Sequence, residues 1–308
     1  ISRGDWSSDV CSSDLPVLIG VTILVFSLMH LTPGNPAVIM AGESAPQATV
    51  QAIEERLGLN DPLHIQYLNF LGNALQLDLG TSIRDNIPVF DHIQSRFLIT
   101  LELSVYSMIF AIVLGLLAGI VSAVRLYTVS DVAIMVVALF GLSMPNFWLG
   151  LMLIQWFAIN LGWFAPTGWG DADQIVLPVI ALGTAGAAII ARMTRSSMLD
   201  VISQDYIRTA RAKGVKERVV IFRHALKNAM IPVVTVIGLQ FGYFLAGSVL
   251  TESVFAINGL GRLIIDSILQ RDFPVVQGAI LVIAVTFVLV NLAVDISYRF
   301  LNKRIDLN

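Results

Sequence analysis

The segment 205–232 places more reactive and charged side chains together than any other part of the chain. Seven basic residues stand there against two acidic ones, and they are Arg208, Arg211, Lys213, Lys216, Arg218, Arg223 and Lys227. Val215, Val219, Phe222 and Leu226 recur at helical spacing, which predicts one apolar stripe. Gly214 divides the segment in two. The pattern predicts a helix, a glycine turn and a short helix that together bind a soluble partner through charge and apolar contact.

Other chemistry finds little support in the sequence. A phosphate-binding loop needs glycine followed by lysine, and none of the 23 glycines is followed by Lys. The four histidines are scattered rather than grouped as metal ligands, and the single cysteine, Cys11, excludes an internal disulfide. We therefore predict no catalytic residue, no bound cofactor and no metal site, so that any ATP hydrolysis resides on a separate chain.

Composition identifies the chain as an integral membrane protein. Of the 308 residues, 56% are hydrophobic and 13% charged, with a mean hydropathy of +0.78, whereas soluble domains carry about 25% charged residues. A span needs ~20 mostly apolar residues. Six spans are predicted, and they lie within residues 16–31, 97–124, 132–170, 174–191, 230–250 and 275–298. The stretch 132–170 is too long for one straight span, so a kink is predicted at Pro145 and an emerging loop over 162–170.

Polar side chains inside predicted spans are candidates for function, and they are Glu102, Gln155, Gln240, Asn291 and Asp295. Glu102 and Asp295 lie near span ends, where water or a neighbouring arginine satisfies them. Gln240 lies at mid-span beside Phe241 and is the candidate pathway-lining residue.

Basic residues predict the orientation of the spans. The loop at Arg125, the loop 192–229 and the C-terminal tail hold 13 of the 19 Lys and Arg residues. Because cytoplasmic loops are enriched in positive charge, both termini are predicted to be cytoplasmic.

The chain divides into five regions. Residues 1–14 are Ser- and Asp-rich and are interpreted as a non-native or disordered N-terminus. Residues 15–32 form the first span, 33–93 an extracytoplasmic helical region, 94–298 the main transmembrane domain and 299–308 a cytoplasmic tail. Within 33–93, helices are predicted after Pro46, ending at Gly58, and after an Asp61 N-cap with Pro62 in the first turn, with a third near Asn86 and Pro88.

Small residues predict close helix contacts. Gly115–Gly119 and Gly238–Gly242 have the small-xxx-small spacing of membrane helix interfaces. The spacing fits packing within one subunit as well as contact with a second subunit.

Several sequence motifs resemble those of the permease subunits of binding-protein-dependent ABC importers, in the peptide/nickel subgroup. The resemblance covers residues 15–308 and rests on TARAKG (209–214), RHALKNAMIP (223–232), HLTPGNPA (30–37), LGLNDPLHIQYLNFL (57–71) and LDLGTS (77–82). In the EAA loop of that family, Gly214 matches the glycine and Ala210 the second alanine. Arg208 stands in place of the glutamate and Thr209 in place of the first alanine.

The resemblance implies an all-α type I ABC importer permease with an extracytoplasmic helical insertion after the first span. It implies a second homologous permease, two ATP-binding subunits or domains and an extracytoplasmic solute-binding protein, in a bacterial or archaeal cytoplasmic membrane, with no nucleic acid partner. Its coupling-loop residues would be Arg208, Thr209, Ala210, Gly214, Val215, Lys216, Arg218, Val219 and Phe222. The cargo would be di- or oligopeptides, with nickel and glutathione as related solutes.

Two other classes compete with this interpretation. A secondary transporter or channel driven by an ion gradient would need intramembrane carboxylate pairs and broken helices, of which the sequence supplies little. A membrane enzyme would need a nucleophile or a metal cluster.

Orientation can be tested by labelling single cysteines in a Cys11→Ser background. We expect Lys216→Cys to react only from the cytoplasm, and Asp61→Cys or Asp171→Cys only from outside. Labelling of positions 61 and 216 from the same side would contradict the six-span prediction.

Overall fold

The computed structural model describes the backbone of residues 5–31, 35–42 and 45–301, and the side chains of residues 16–27, 29–31, 35–42 and 45–294. The helices are α1 Asp5–Leu31, α2 Pro36–Ala41, α3 Gln47–Leu57, α4 Leu63–Leu75, α5 Val89–Val124, α6 Val129–Ser143, α7 Asn146–Leu153, α8 Ala172–Ile202, α9 Asp205–Ala212, α10 Glu217–Val219, α11 Leu226–Val254, α12 Leu260–Gln270 and α13 Phe273–Leu301. Two π-helical segments, Ile154–Asn160 and Val220–Ala225, follow α7 and α10. The all-α prediction is confirmed.

Among the described residues, four helices are long and apolar enough to cross a membrane, and they are Val89–Val124, Ala172–Ile202, Glu217–Val254 and Phe273–Val294. A fifth span results if the bent pair Val129–Ser143 and Asn146–Asn160 is counted as one. The apolar part of α1, Pro16–Leu31, is shorter than a full span. The count of six therefore stays a prediction.

The predicted kink at Pro145 is instead a break between two helices. α6 ends before Met144, whose backbone is extended (φ −81°, ψ 128°), and α7 begins after Pro145. The two helical arms meet at 103°. The cause is local, because a proline disfavours helical backbone in the residue before it. The prediction of one kinked span over 132–170 was wrong in this respect.

One compact unit comprises Ile1–Ile99 and Asn258–Val288. The predicted helix after Pro46 is α3, which ends at Gly58 in left-handed conformation (φ 65°). α4 follows as predicted, but Pro62 rather than Asp61 occupies its N-cap and no side chain caps it. Asp272, buried, accepts hydrogen bonds from the Ser82 hydroxyl (2.5 Å) and the Ile83 amide (3.1 Å).

The same unit holds the beginning of the chain. α1 starts at Asp5, so the described backbone of residues 5–14 belongs to the first helix, and residues 1–4 lie outside the described residues. The prediction that this stretch is non-native stays a prediction.

The second compact unit, Thr100–Ile257 with Leu289–Asn308, is organised around α8. A Cβ at Gly119 would lie 2.6 Å from the Ala191 carbonyl oxygen, and one at Gly115 would lie 2.8 Å from that of Ala187. The Gly115–Gly119 pair therefore packs α5 against α8 within one chain. A Cβ at Gly238 would likewise meet Val294, at 2.7 Å.

An ion pair joins α6 to α8 in this unit. Arg195 donates two hydrogen bonds to buried Asp131, from Nε at 2.8 Å and from Nη2 at 2.9 Å. The Ser122 hydroxyl and the Tyr127 amide also donate to that carboxylate. All three elements that meet here, the end of α5, the start of α6 and α8, are thereby fastened at one carboxylate.

Removing one partner of this pair should destabilise the protein. We expect Arg195→Met to lower the melting temperature in detergent by several degrees, because a buried charge is left without its counter-ion. Arg192→Met, at an exposed arginine of the same helix, is the matched control. The double variant Arg195→Met/Asp131→Leu should recover part of the loss; no recovery would contradict an electrostatic origin.

Candidate functional site

The basic segment folds as a helix, a glycine turn and a second helix. α9 ends at Ala212, and Gly214 adopts φ 75° while its amide donates to the Arg211 carbonyl at 2.9 Å. A Cβ at Gly214 would meet no atom within 4 Å. The left-handed backbone, rather than lack of space, is thus what favours glycine here. The predicted turn is confirmed.

An ion pair that the sequence analysis missed closes this turn. Arg211 donates from Nη2 to Glu217 Oε1 at 2.6 Å and from Nε to Oε2 at 3.1 Å. Both side chains are substantially exposed, so the pair contributes little to stability. Its bidentate geometry fixes the distance between the end of α9 and the start of α10.

The second helix is longer than predicted. α10 continues through the π-helical segment Val220–Ala225 into α11, and the three together form the apolar helix Glu217–Val254. The surface segment and the membrane helix are therefore one continuous element, and a displacement of its beginning is a displacement of the membrane helix.

The inner side of this segment is bound to the core of its unit. Ile207, Val220, Ile221 and Ala225 are buried in one cluster with four residues from neighbouring helices, Ala123, Met198, Val201 and Ala229. Ala210, Val215 and Leu226 pack against the edge of this cluster.

The predicted apolar stripe is thus divided. Val215 and Leu226 pack inward, while Val219 and Phe222 are 38% and 54% exposed. Val215 precedes the helix that begins at Glu217, so it does not share one helical spacing with the other three residues. Val220 and Ile221, which the spacing did not select, take the buried positions.

The outer side of the segment is a mixed apolar and basic surface, which we name the 205–222 surface. Its exposed residues include seven that the sequence analysis selected, and they are Arg208, Thr209, Gly214, Lys216, Arg218, Val219 and Phe222. Two neighbouring large apolar side chains among cations form the composition expected of a protein docking site with a charged rim.

A second candidate site is a cavity of about 350 Å³ at the break between α6 and α7. Residues of α8 and α11 complete its wall, among them Ala185, Gln240 and Tyr243. Gln240 is 9% exposed, and its Nε2 atom is buried without a hydrogen-bond partner among the described groups. The sequence selected Gln240 for its place in the span, and the fold brings it to this cavity wall.

Two of the other polar residues that the sequence analysis selected, Glu102 and Gln155, have side-chain hydrogen-bond partners. Glu102 Oε2 accepts from Trp169 Nε1 at 3.1 Å, and Gln155 donates to Asn160 Oδ1 at 3.1 Å. Asn291 is half-buried, and the side chain of Asp295 lies outside the described residues.

The sequence analysis missed three buried carboxylates among the described residues, of which Asp272 has been described with the fold. Glu252 is fully buried near the end of α11 and accepts a hydrogen bond from Thr100 Oγ1 at 2.7 Å. Asp131 meets Arg195, as described above. Each acid lies just beyond the end of an apolar run, where the sequence pattern resembles that of an exposed loop, so only the partner residues distant in sequence reveal the burial.

Two family models match different parts of the chain. A family model described as "Binding-protein-dependent transport system inner membrane component" matches residues 111–307. A second, described as the N-terminal part of the membrane component of such systems, matches residues 11–104.

Relatives with high identity span nearly the whole chain. The dipeptide transport system permease protein DppB of Alkalihalophilus pseudofirmus is 47% identical, covering 94% of this chain and 96% of that protein. The glutathione transport system permease protein GsiC of Escherichia coli O6:H1 is 46% identical, over 94% and 95% respectively.

Among solved structures, the chain is similar to an inward-facing conformation of the MetNI methionine ABC transporter. The TM-score is 0.59 with 19% identity, over 68% of this chain and 95% of that chain. At this identity the likeness concerns the fold alone. An amino acid ABC transporter gives a TM-score of 0.50 with 17% identity, over 76% of this chain and 98% of that chain.

The fold and the family matches define a multi-pass helical membrane protein of the ABC importer permease class. The chain belongs to the family of binding-protein-dependent transport system inner membrane components.

Proposed function

We propose that the chain is the permease subunit of an ATP-driven importer of di- or oligopeptides or of a related solute such as glutathione. Family membership supports the transport role, and relatives named for dipeptide and glutathione transport support a peptide cargo over nickel. The observation that carries the coupling part of the proposal is the 205–222 surface, which is exposed outside and anchored to the transmembrane core inside.

The 205–222 surface would dock into a separate ATPase. Val219 and Phe222 supply the apolar contact, and Arg208, Lys216 and Arg218 supply the rim charges. Because the docked segment continues into α11, ATP-driven closure of the partner would move that helix as a rigid body.

The assembly we propose contains a second homologous permease, two ATP-binding subunits or domains and an extracytoplasmic solute-binding protein. It would lie in the cytoplasmic membrane, with both termini of this chain in the cytoplasm and the 205–222 surface on that side. Residues 33–93 would face the binding protein's side of the membrane. The chain would contribute no catalytic group, the ATPase activity belonging to the partners.

Docking can be tested with neighbouring valines. Val219→Asp should strongly reduce recovery of the ATPase in a detergent pull-down, because docking would bury an unpaired charge. Lys216→Ala should have a milder effect that depends on salt, as is usual for a rim charge.

Val220→Asp is the control for this test. Val220 is fully buried, so aspartate there should lower the melting temperature of the permease itself, whereas Val219→Asp should leave it unchanged. Full ATPase recovery with Val219→Asp at low and high salt would argue against docking through this surface.

Transport and coupling can be tested together in proteoliposomes that hold the assembled complex. Alanyl-alanine uptake should require ATP and all partners. Gly214→Val should abolish uptake and cargo-stimulated ATP hydrolysis while leaving insertion intact, because a β-branched residue at φ 75° forces the turn to change. Gly72→Val, in α4 and with open space around it, should leave both activities near the wild-type level.

Two results would contradict these proposals separately. Normal coupled transport by a stable Gly214→Val complex would exclude the turn from coupling. Uptake by the lone chain without ATP, driven by a proton gradient, would favour a secondary transporter.

A further inference from the structure

Hydroxyl and amide side chains form the polar part of the wall of the cavity at the α6–α7 break. Its polar wall residues are Ser143, Asn146, Gln240 and Tyr243, and apolar residues such as Met144 and Ala185 form the rest. A volume of about 350 Å³ lies within the range of small-molecule sites, which is about 300–1,000 Å³.

Among the described wall residues, Gln240 has a buried side-chain donor that lacks a hydrogen-bond partner. It is nine-tenths buried, and its Nε2 donor makes no hydrogen bond to a described group. A buried donor without an acceptor is costly and uncommon in folded proteins. The terminal torsion of a glutamine side chain is broad, so a small rotation can turn the amide toward a molecule in the cavity.

The helix break adds further donors and acceptors at the same wall. α7 begins at Asn146, which lines the cavity, and no side chain caps the helix there. The side-chain amide of Asn146 carries both donors and an acceptor. On the other arm, the Ser143 hydroxyl donates to the Leu139 carbonyl at 2.9 Å and keeps its oxygen lone pairs as acceptors. The wall therefore offers both donors and acceptors, as an amide requires.

We propose that this cavity holds a backbone amide of the cargo during its passage, paired with the side-chain amide of Gln240. Gln240 Nε2, the donor that lacks a partner, donates to the carbonyl oxygen of the cargo's peptide bond. The peptide N–H of a trans amide points away from that carbonyl. An amide carbonyl is a stronger acceptor than the carbonyl of an ester, so this bond favours a peptide over its ester analogue. This inference rests on the proposed function and adds the chemical group that the pathway recognises.

The chemistry of the wall selects against other occupants. An ammonium or carboxylate placed against this wall would lose its hydration without meeting an opposite charge, which is far costlier than burying a neutral amide. The neutral amide of a peptide would therefore contact the wall, while its charged termini stay in water. The described residues that line the cavity include no His, Cys, Asp or Glu, the side chains that bind nickel or related transition metals. An amide is common to every peptide, so recognition of this group tolerates different cargo side chains.

The test compares alanyl-alanine with alanyl-lactate, the ester analogue in which oxygen replaces the peptide N–H. Both are offered with the same binding protein to proteoliposomes holding the complete transporter, so the binding protein's own preference cancels between variants. Gln240→Met keeps the length of the side chain and removes both hydrogen-bonding groups. Gln155→Met makes the same change at an exposed glutamine hydrogen-bonded to Asn160.

We expect Gln240→Met to lower the initial rate of alanyl-alanine uptake about three- to tenfold, the effect of one neutral hydrogen bond. The rate for alanyl-lactate should fall less, so that the preference for the amide over the ester shrinks. Gln155→Met should change neither rate. If Gln240→Met fails to assemble, Gln240→Asn, which keeps the amide on a shorter side chain, should retain part of the preference.

The opposing results are equally definite. Unchanged uptake by Gln240→Met, or an equal loss for both cargoes, would overturn the amide pairing and assign Gln240 to packing. With Gln240→Asn alone, an unaltered amide preference despite slower uptake would do the same. If the wild-type complex hydrolyses ATP but transports neither cargo, the proposed peptide function fails, and the amide pairing fails with it.

Discussion

The close approach of helix backbones along α8 is the contact on which the rest of the second compact unit depends. In a bilayer, apolar side chains gain little by leaving lipid for protein, so helix association relies on tight packing and hydrogen bonds. At Gly119 and Gly183 an added Cβ would lie 2.6 Å from Ala191 O and 2.9 Å from Ser107 O, distances that leave no room for a side chain. These glycines hold α5 against α8, and the Asp131–Arg195 pair holds α6 there. These contacts hold α8 in place, with Ile189 at the cavity and Met198 beneath the 205–222 surface.

Both candidate sites draw on α8 and α11, which links them physically. The cavity wall includes Ile189 of α8 and Gln240 of α11, while the core beneath the 205–222 surface includes Met198 of α8 and Ala229 of α11. Ile189 and Met198 are nine positions apart along α8, which corresponds to a rise of about 14 Å at 1.5 Å per residue. Because packed helices move as rigid bodies rather than deforming, force applied at the 205–222 surface would reach the cavity without any intervening flexible part.

Sequence reasoning succeeded where a single residue type dictates local backbone. Gly58 and Gly214 ended helices as predicted, because left-handed backbone favours glycine, and the long apolar runs became the long helices. It failed where the outcome depends on spacing or on distant partners. The predicted stripe assumed one continuous helix from Val215, but the helix begins at Glu217, and Val220 and Ile221 take the buried positions instead. The burial of Asp131 and Glu252 likewise depends on Arg195 and Thr100, which are 64 and 152 positions away.

The break at Met144–Pro145 illustrates how one such failure bears on function. A kinked but continuous span would satisfy its own backbone hydrogen bonds and present only side chains to a pathway. A true break leaves helix ends exposed, and in a membrane protein irregular backbone is tolerated only where it is buried in protein or lines a cavity. Here the break lines a cavity with an uncharged polar wall. An uncharged wall would bind amides weakly and release them readily, as the proposed pathway requires. The discrimination between cargoes would then be left to the proposed binding protein.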